Sequence, residues 1–393
     1  MKPAQKLGLL GALYLSQGLP YGFFTQALPV LLREQQMSLE AIGLTSLLAV
    51  PWALKFLWAP LVDRWGARRR WILGTQLAAA LLAVVVAGLD PAAGLPLVLG
   101  CVLLTNLAAA TQDIATDGLA VSMLSAEERG LGNGVQVAGY RLGMILGGGL
   151  LLVLFDVLGW AGTFLCMAVL IGLASLPMLS VPTLGAAPGR PEGSWREVLG
   201  WIRLPGRLRW VLALLLYKAG HHLAQGMLRP WLVDVGLSKT DIGLLLGTAG
   251  FTAGLVGALL GGLGVNLLGR RGALLAFGLA SAIGVGGYAL SAASGGAGLW
   301  AAVLVEHLAS GMATAALFTV MMDACRPAHG GSDYTLQASV VVLASGAAAG
   351  ASGFVAASVG YGALFWLAAA LVVVGAVVAA WASRDAALVI GGR

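Results

Sequence analysis

Eleven ionisable side chains fall inside long apolar stretches of this sequence: Lys55, Asp113, Asp117, Arg141, Lys218, His221, His222, Arg229, Glu306, His307 and Asp323. In a membrane such groups are costly unless they face a partner or water, so each marks a candidate site. Helical spacing gathers them. Lys218, His222, Gln225 and Arg229 follow i, i+4, i+7, i+11 and form one polar stripe. Asn106, Asp113 and Asp117 follow i, i+7, i+11, while Glu306, Ser310 and Thr314 follow i, i+4, i+8, as do Gln17, Tyr21 and Thr25. Four stripes of this kind suit the holding of a polar or charged solute and the exchange of protons with it. They do not suit bond-making chemistry. The sequence has no compact nucleophile–base motif and no metal-ligand cluster, so a membrane-embedded enzyme built on Glu306, His307 and Ser310 is the remote alternative.

These stripes must be carried by membrane helices. Of 393 residues, 59% are hydrophobic and 10% charged, against about 25% charged in soluble domains. A water-soluble fold has no way to hide that much apolar surface. The 58 glycines fit close helix–helix approach in lipid. A span needs about 20 mostly apolar residues. Twelve such runs occur, at 8–32, 41–62, 71–89, 95–118, 131–155, 160–180, 209–233, 241–267, 272–294, 298–323, 334–357 and 360–382. Lys2 and Lys6 before an apolar run resemble a signal peptide, but no convincing small-residue cleavage site follows, and a retained first helix is expected. Pro20, Pro29, Pro51 and Pro60 predict kinks or unwound turns in the first two spans.

Orientation follows from the basic residues. With the N-terminus inside, the outer loops receive only Arg33 and Lys239, and the other Lys and Arg outside the spans fall on the cytoplasmic side. Both termini are then cytoplasmic, and the net charge of +6 is a topology signal rather than a nucleic-acid footprint. The hydrophilic stretch 181–208 divides the chain into a bundle at 1–180 and a bundle at 209–393. It reads as a linker whose 194–202 portion forms a short amphipathic helix on the inner leaflet, arginines toward phosphate and tryptophans at the interface. Cys101, Cys166 and Cys325 are far apart and indicate neither a disulfide framework nor zinc.

The halves repeat. LPVLLR at 28–33 matches RPWLVD at 229–234, and SLEAIGL at 38–44 matches SKTDIGL at 238–244, each with a Ser N-cap and an acid in the first turn. APLVDRWGARR at 59–69 answers GLGVNLLGRR at 262–271, and Asp117 answers Asp323. The loop after Asp63 resembles the signature of the major facilitator superfamily, G-x-L-a-D-R-x-G-R-[KR]. It matches at Leu61, Asp63, Arg64, Gly66 and the basic run, with Ala59 and Ala67 as departures and Asn266 in place of the second acid. The resemblance covers the whole chain. It implies an all-α membrane protein of twelve helices in two pseudo-symmetric six-helix bundles, with the first, fourth, seventh and tenth spans around a central cavity. PWALKFLWAP at 51–60 and TQDIATD at 111–117 resemble the AmpG-type permeases, and YLSQGLPYGFFTQALP at 14–29 resembles the RhtX/FptX-type siderophore permeases.

The expected function is a secondary transporter of the bacterial inner membrane, acting by alternating access and as a monomer without cofactor or metal. Of two candidate cargoes the first is the expected one, imported from periplasm to cytoplasm, and the second is the alternative. The first is a ferric siderophore held by Tyr21, Phe23, Phe24 and Trp231 and the cationic stripe. The second is a muropeptide or another anionic metabolite, which Lys218 and Arg229 suit equally. Substrate contacts are expected from Gln17, Tyr21, Thr25, Asn106, Asp113, Lys218, His222, Gln225, Arg229, Glu306 and Ser310. Asp113, His222 and Glu306 are the candidates for proton coupling. Lys55, Asp117 and Arg141 could tie to one another, and Asp323, near the inner end, suits a gate. Asp63, with Arg64 and Arg68, is expected to bias access by charge-assisted contacts rather than touch cargo. None of the lysines follows a glycine, which leaves no P-loop. Gly130, Gly132, Gly134 and 147–149 read as close-packing sites.

Overall fold

The computed structural model describes residues 1–34, 45, 48, 50–65, 67–90, 94–179, 195–326 and 329–386. The helix entry expected at 38–44, Gly66 of the loop motif and the first half of the linker, 181–194, lie outside the described residues. The described parts of the twelve expected spans are helical apart from short turns such as those at Trp58, Leu154 and Lys218. Among the described residues, seven helices are long and apolar enough to cross a membrane. Two of them hold two spans each, because Gly269 and Gly360 interrupt Phe251–Ala293 and Gly330–Ala386 with single non-helical residues. The first, second and seventh spans are broken into shorter pieces and complete the twelve.

The breaks have local causes. The first span runs as Pro3–Gly22, a π turn Phe23–Ala27, then Leu28–Glu34. Pro29 brings no N–H, and the wider turn before it rearranges the carbonyls that would otherwise point at the ring. The second span runs as Val50–Leu54, a tight turn Lys55–Leu57, then Ala59–Arg64 with Pro60 in its first turn. The seventh divides at Lys218 into Arg207–Tyr217 and Ala219–Asp234.

Two compact units form. One contains Met1–Leu124, Gly139–Trp195 and Arg326–Thr335; the other contains Ser125–Ala138, Arg196–Cys325 and Leu336–Arg393. The start of the fifth span thus belongs with the C-terminal chain, and the start of the eleventh with the N-terminal chain. Within the first unit the first and fifth spans touch backbone to backbone: a Cβ on Gly147 would lie 2.0 Å from the Leu19 carbonyl oxygen. In the second, a Cβ on Gly257 would lie 2.0 Å from the Leu308 carbonyl oxygen. Gly130 and Gly134 approach Gly262 and Ala258 in the same manner, whereas Gly149 faces open space. Small residues at such crossings let dispersion and backbone contacts hold helices together where lipid offers no hydrophobic drive. Large apolar side chains such as Val157, Leu267 and Phe354 point outward, as a lipid-facing surface requires.

The linker helix corrects one expectation. It spans Trp195–Ile202, but Trp201 does not sit at a lipid interface. It is fully buried, donates from Nε1 to the Ala324 carbonyl at 3.0 Å, and carries the Arg207 guanidinium over its ring at 5.1 Å. The helix is docked through this face onto the end of the tenth span.

Candidate functional site

Each unit has its own polar centre. In the second unit Glu306 is completely buried in the first half of the helix Leu299–Asp323. The seventh span supplies His221, whose Nδ1 stands 2.5 Å from Oε1, and Gln225, which donates to Oε2 at 3.1 Å. The ninth supplies the Tyr288 hydroxyl at 3.3 Å and the Ser281 hydroxyl at 3.5 Å. Gly284 makes this approach possible, since a Cβ there would meet the Glu306 Cα at 2.5 Å. His307 Nδ1 lies 3.2 Å from Oε2 and 3.0 Å from the Val303 carbonyl. Beside this hub the buried Lys218 ammonium donates to Ser310 at 3.0 Å and Thr314 at 3.1 Å. Ser310 in turn stands 3.5 Å from His221 Nε2.

The first unit holds a buried ion pair between Lys55 and Asp113. The break at Lys55–Leu57 turns the lysine inward; a continuous helix would set its direction differently. One turn further along the fourth span, Asp117 accepts from the Tyr14 hydroxyl at 2.6 Å. Gln17 donates to Thr116 at 3.2 Å, and Ser16 accepts from Gln76 and Gln112, each at 3.0 Å. Next to the ion pair lie three partly exposed rings. Tyr21 meets Trp52 at 5.5 Å and Tyr140 at 5.7 Å, and Lys55 Nζ is 5.8 Å from the Trp52 ring centre. Asn106 sits apart from these, donating to the Leu48 carbonyl at 2.9 Å, and Thr25 bonds back to Tyr21 within its own helix.

At the arginine-rich end two further carboxylates tie distant parts of the chain. Asp63 accepts from the Ser332 backbone N–H and hydroxyl, both at 2.7 Å, with Arg68 at 3.7 Å. Ser332 lies in the first turn of the eleventh span, where backbone N–H groups lack helical acceptors and the helix dipole favours an anion. Asp323 joins Arg129 and Arg270, each at 2.8 Å, and Arg270 also reaches the Ala126 carbonyl.

The sequence profile of the Major Facilitator Superfamily matches residues 10–339, most of the chain. The chain belongs to this superfamily. It is a multi-pass secondary transporter. An uncharacterized protein of Haemophilus influenzae is 31% identical over 93% of this chain and 92% of its own length. The anhydromuropeptide permease of Escherichia coli K12 is 32% identical over 82% of this chain and 68% of its own. Among solved structures, the human organic anion transporter TETRAN aligns with a TM-score of 0.77 at 16% identity, covering 96% of this chain and 100% of that one. The proton:xylose symporter XylE aligns at 0.71 with 14% identity, covering 95% and 94%. At these identities the two structures establish the fold alone.

Against this facilitator fold the expected residues sort into three groups. Lys218, Gln225, Glu306 and Ser310 come together. So do Lys55 and Asp113, and the Lys55 ion pair is with Asp113 rather than with Asp117, whose carboxylate takes the Tyr14 hydroxyl. His222, expected on the stripe, is replaced there by His221 and stacks edge-on against it at 4.9 Å. Arg229 does not join the hub. It is exposed beside Pro230, as is Arg64 at the end of the second span; Arg141 is half-buried in the fifth. Sequence reasoning missed Tyr14, Trp52, Tyr140, Ser281, Tyr288, Arg129 and Ser332. Ser281 and Tyr288 carried a signal, being seven apart on a span without charged residues.

The Asp323 junction yields a direct expectation. Cys325, two residues on, is buried and bonds to the Met321 carbonyl at 3.1 Å. Replacing Asp323→Asn leaves Arg129 and Arg270 without a charged acceptor and weakens the junction by about 1.5 kcal/mol, roughly tenfold in local opening. Maleimide labelling of Cys325, with Cys101 and Cys166 replaced by alanine, is expected to speed up by about that factor. Unchanged labelling would mean that the two arginines do not hold this end together.

Proposed function

We infer that this protein imports anhydromuropeptides, amino sugars bearing a short acidic peptide, across the bacterial inner membrane by alternating access. The observation that carries the reading is the 32% identity to the Escherichia coli anhydromuropeptide permease over 82% of the chain. It favours the muropeptide alternative over the siderophore cargo that the first span suggested. The chemistry of the two polar centres supports it. The rings of Tyr21, Trp52 and Tyr140 offer flat apolar faces of the kind on which sugar rings stack, and Lys218 offers an ammonium for a peptide carboxylate. Nothing in the reading calls for a cofactor. The bias of Lys and Arg supports an arrangement with both termini cytoplasmic. In that arrangement Asp63 and Asp323 stand at the cytoplasmic end as access-biasing contacts, and one chain, made of bundles at 1–180 and 209–393, suffices as the transporting unit.

Uptake tests it. Cells lacking their own permease but expressing this chain are given tritiated anhydromuropeptide, and in parallel radioactive iron on several purified siderophores. Gene-dependent accumulation of the muropeptide without iron uptake is expected. Gene-dependent iron uptake instead would return the cargo to the siderophore reading.

A further inference from the structure

The buried groups around Glu306 form a chain with a defined hydrogen-bond direction. Gln225 can only donate through Nε2 to Oε2, at 3.1 Å, and the hydroxyls of Tyr288 and Ser281 face the same carboxylate. A carboxylate so surrounded by donors is in its ionised form, so the hydrogen between it and His221 sits on the imidazole Nδ1. Nε2 of that neutral ring is then an acceptor. It faces the Ser310 hydroxyl at 3.5 Å, and Ser310 accepts from the Lys218 ammonium at 3.0 Å. From Lys218 through Ser310 and His221 to Glu306, every hydrogen points the same way.

We propose that His221 takes the coupling proton on Nε2, and that Ser310 passes the effect to Lys218, preparing its ammonium for an anionic group of the cargo. A hydronium ion gives its proton to Nε2: the N–H bond forms as the hydronium O–H bond breaks, and water leaves. The ring becomes a cation that donates toward Ser310, and two cations then converge on one hydroxyl oxygen. Lys218 keeps Thr314 at 3.1 Å and is driven toward any carboxylate that arrives. Proton and anionic cargo thereby favour each other, and linkage makes the effect reciprocal. The other titratable groups packed around the chain are His222 and Lys218 from the seventh span, Tyr288 from the ninth and His307 from the tenth. From the eighth span, Gly250 packs against the His307 ring. None of these stands between Nε2 and Lys218. Ser310 does, and it is the positioning residue.

The proposal deepens the carrier reading and rests on it only for the identity of the anion. Its test is the pH slope of anhydromuropeptide binding to the purified full chain between about pH 5 and about pH 8. Wild-type affinity is expected to rise about tenfold toward acid. The slope is expected to vanish in both His221→Gln and Ser310→Ala, whatever their absolute affinity. A wild-type slope surviving in either variant overturns the relay. A cargo-free measurement stands beside it: nitrogen-15 histidine spectra of the wild-type chain at high pH, with His221 assigned by its absence in His221→Gln. The hydrogen is expected on Nδ1, and a neutral ring carrying it on Nε2 overturns the proposal. If the wild type binds no anhydromuropeptide, the cargo reading fails, and the spectrum decides the relay by itself.

Discussion

Glu306→Gln will reduce uptake by at least about a hundredfold. The side chain keeps its shape but loses its charge, and its new amide hydrogens face groups that are themselves donors, Gln225 on one side or His221 on the other. Hydrogen bonds to a charged group contribute about 1.5–3 kcal/mol each. Losing two of them exceeds the 2.8 kcal/mol or so that corresponds to a factor of a hundred. The same variant will melt earlier in detergent, because a buried donor without an acceptor costs about 1–3 kcal/mol. Initial uptake rates and a thermal melt check the two effects separately. Uptake near the wild-type rate would reduce Glu306 to a packing element.

Lys55→Met will destabilise the first unit strongly, and a second change will undo most of the damage. The single substitution leaves Asp113 buried beside apolar groups and aromatic rings. Breaking one partner of a buried ion pair costs about 3–5 kcal/mol, while replacing both by apolar residues is often neutral. Lys55→Met combined with Asp113→Leu is therefore expected to recover a near wild-type melting temperature, and the cycle of four proteins isolates the coupling. Transport by the double variant is the informative reading. If it folds but no longer transports, the pair contributes to cargo handling as well as to stability. If it both folds and transports, the pair is a structural tie.

The fold was legible because its signals are long. Runs of apolar residues, the basic loops and the repeated 59–69 and 262–271 segments each involve many positions, and a superfamily match over 10–339 agrees with them. The polar centres were legible to within one residue of a helix turn. Glu306, Gln225, Lys218 and Ser310 do converge. The stripe takes His222 in place of His221 because, from Lys218, both i+3 and i+4 lie on the same helical face, and periodicity cannot separate them. The break at Lys218, where φ is −105° and ψ −8°, then resets the direction of the helix Ala219–Asp234. Arg229 fits the stripe by count but sits at a proline near the helix end, where its long side chain is exposed. Asp117 and Asp323 are equivalent in sequence yet serve differently, since one meets Tyr14 and the other Arg129 and Arg270. Partners drawn from elsewhere in the chain decide such cases, and no local pattern announces them.

Gly159, Gly269 and Gly360 have φ of 64°, 69° and 80° with ψ near full extension, a region open in practice only to glycine. At each of these points the chain reverses through essentially one residue. During synthesis, neither span of such a pair can settle in the bilayer while its neighbour waits in water, because nothing between them can stretch. The fifth and sixth, eighth and ninth, and eleventh and twelfth spans are thus bound to leave the insertion machinery as hairpins. A charged residue placed in either arm is an obstacle to the biogenesis of both.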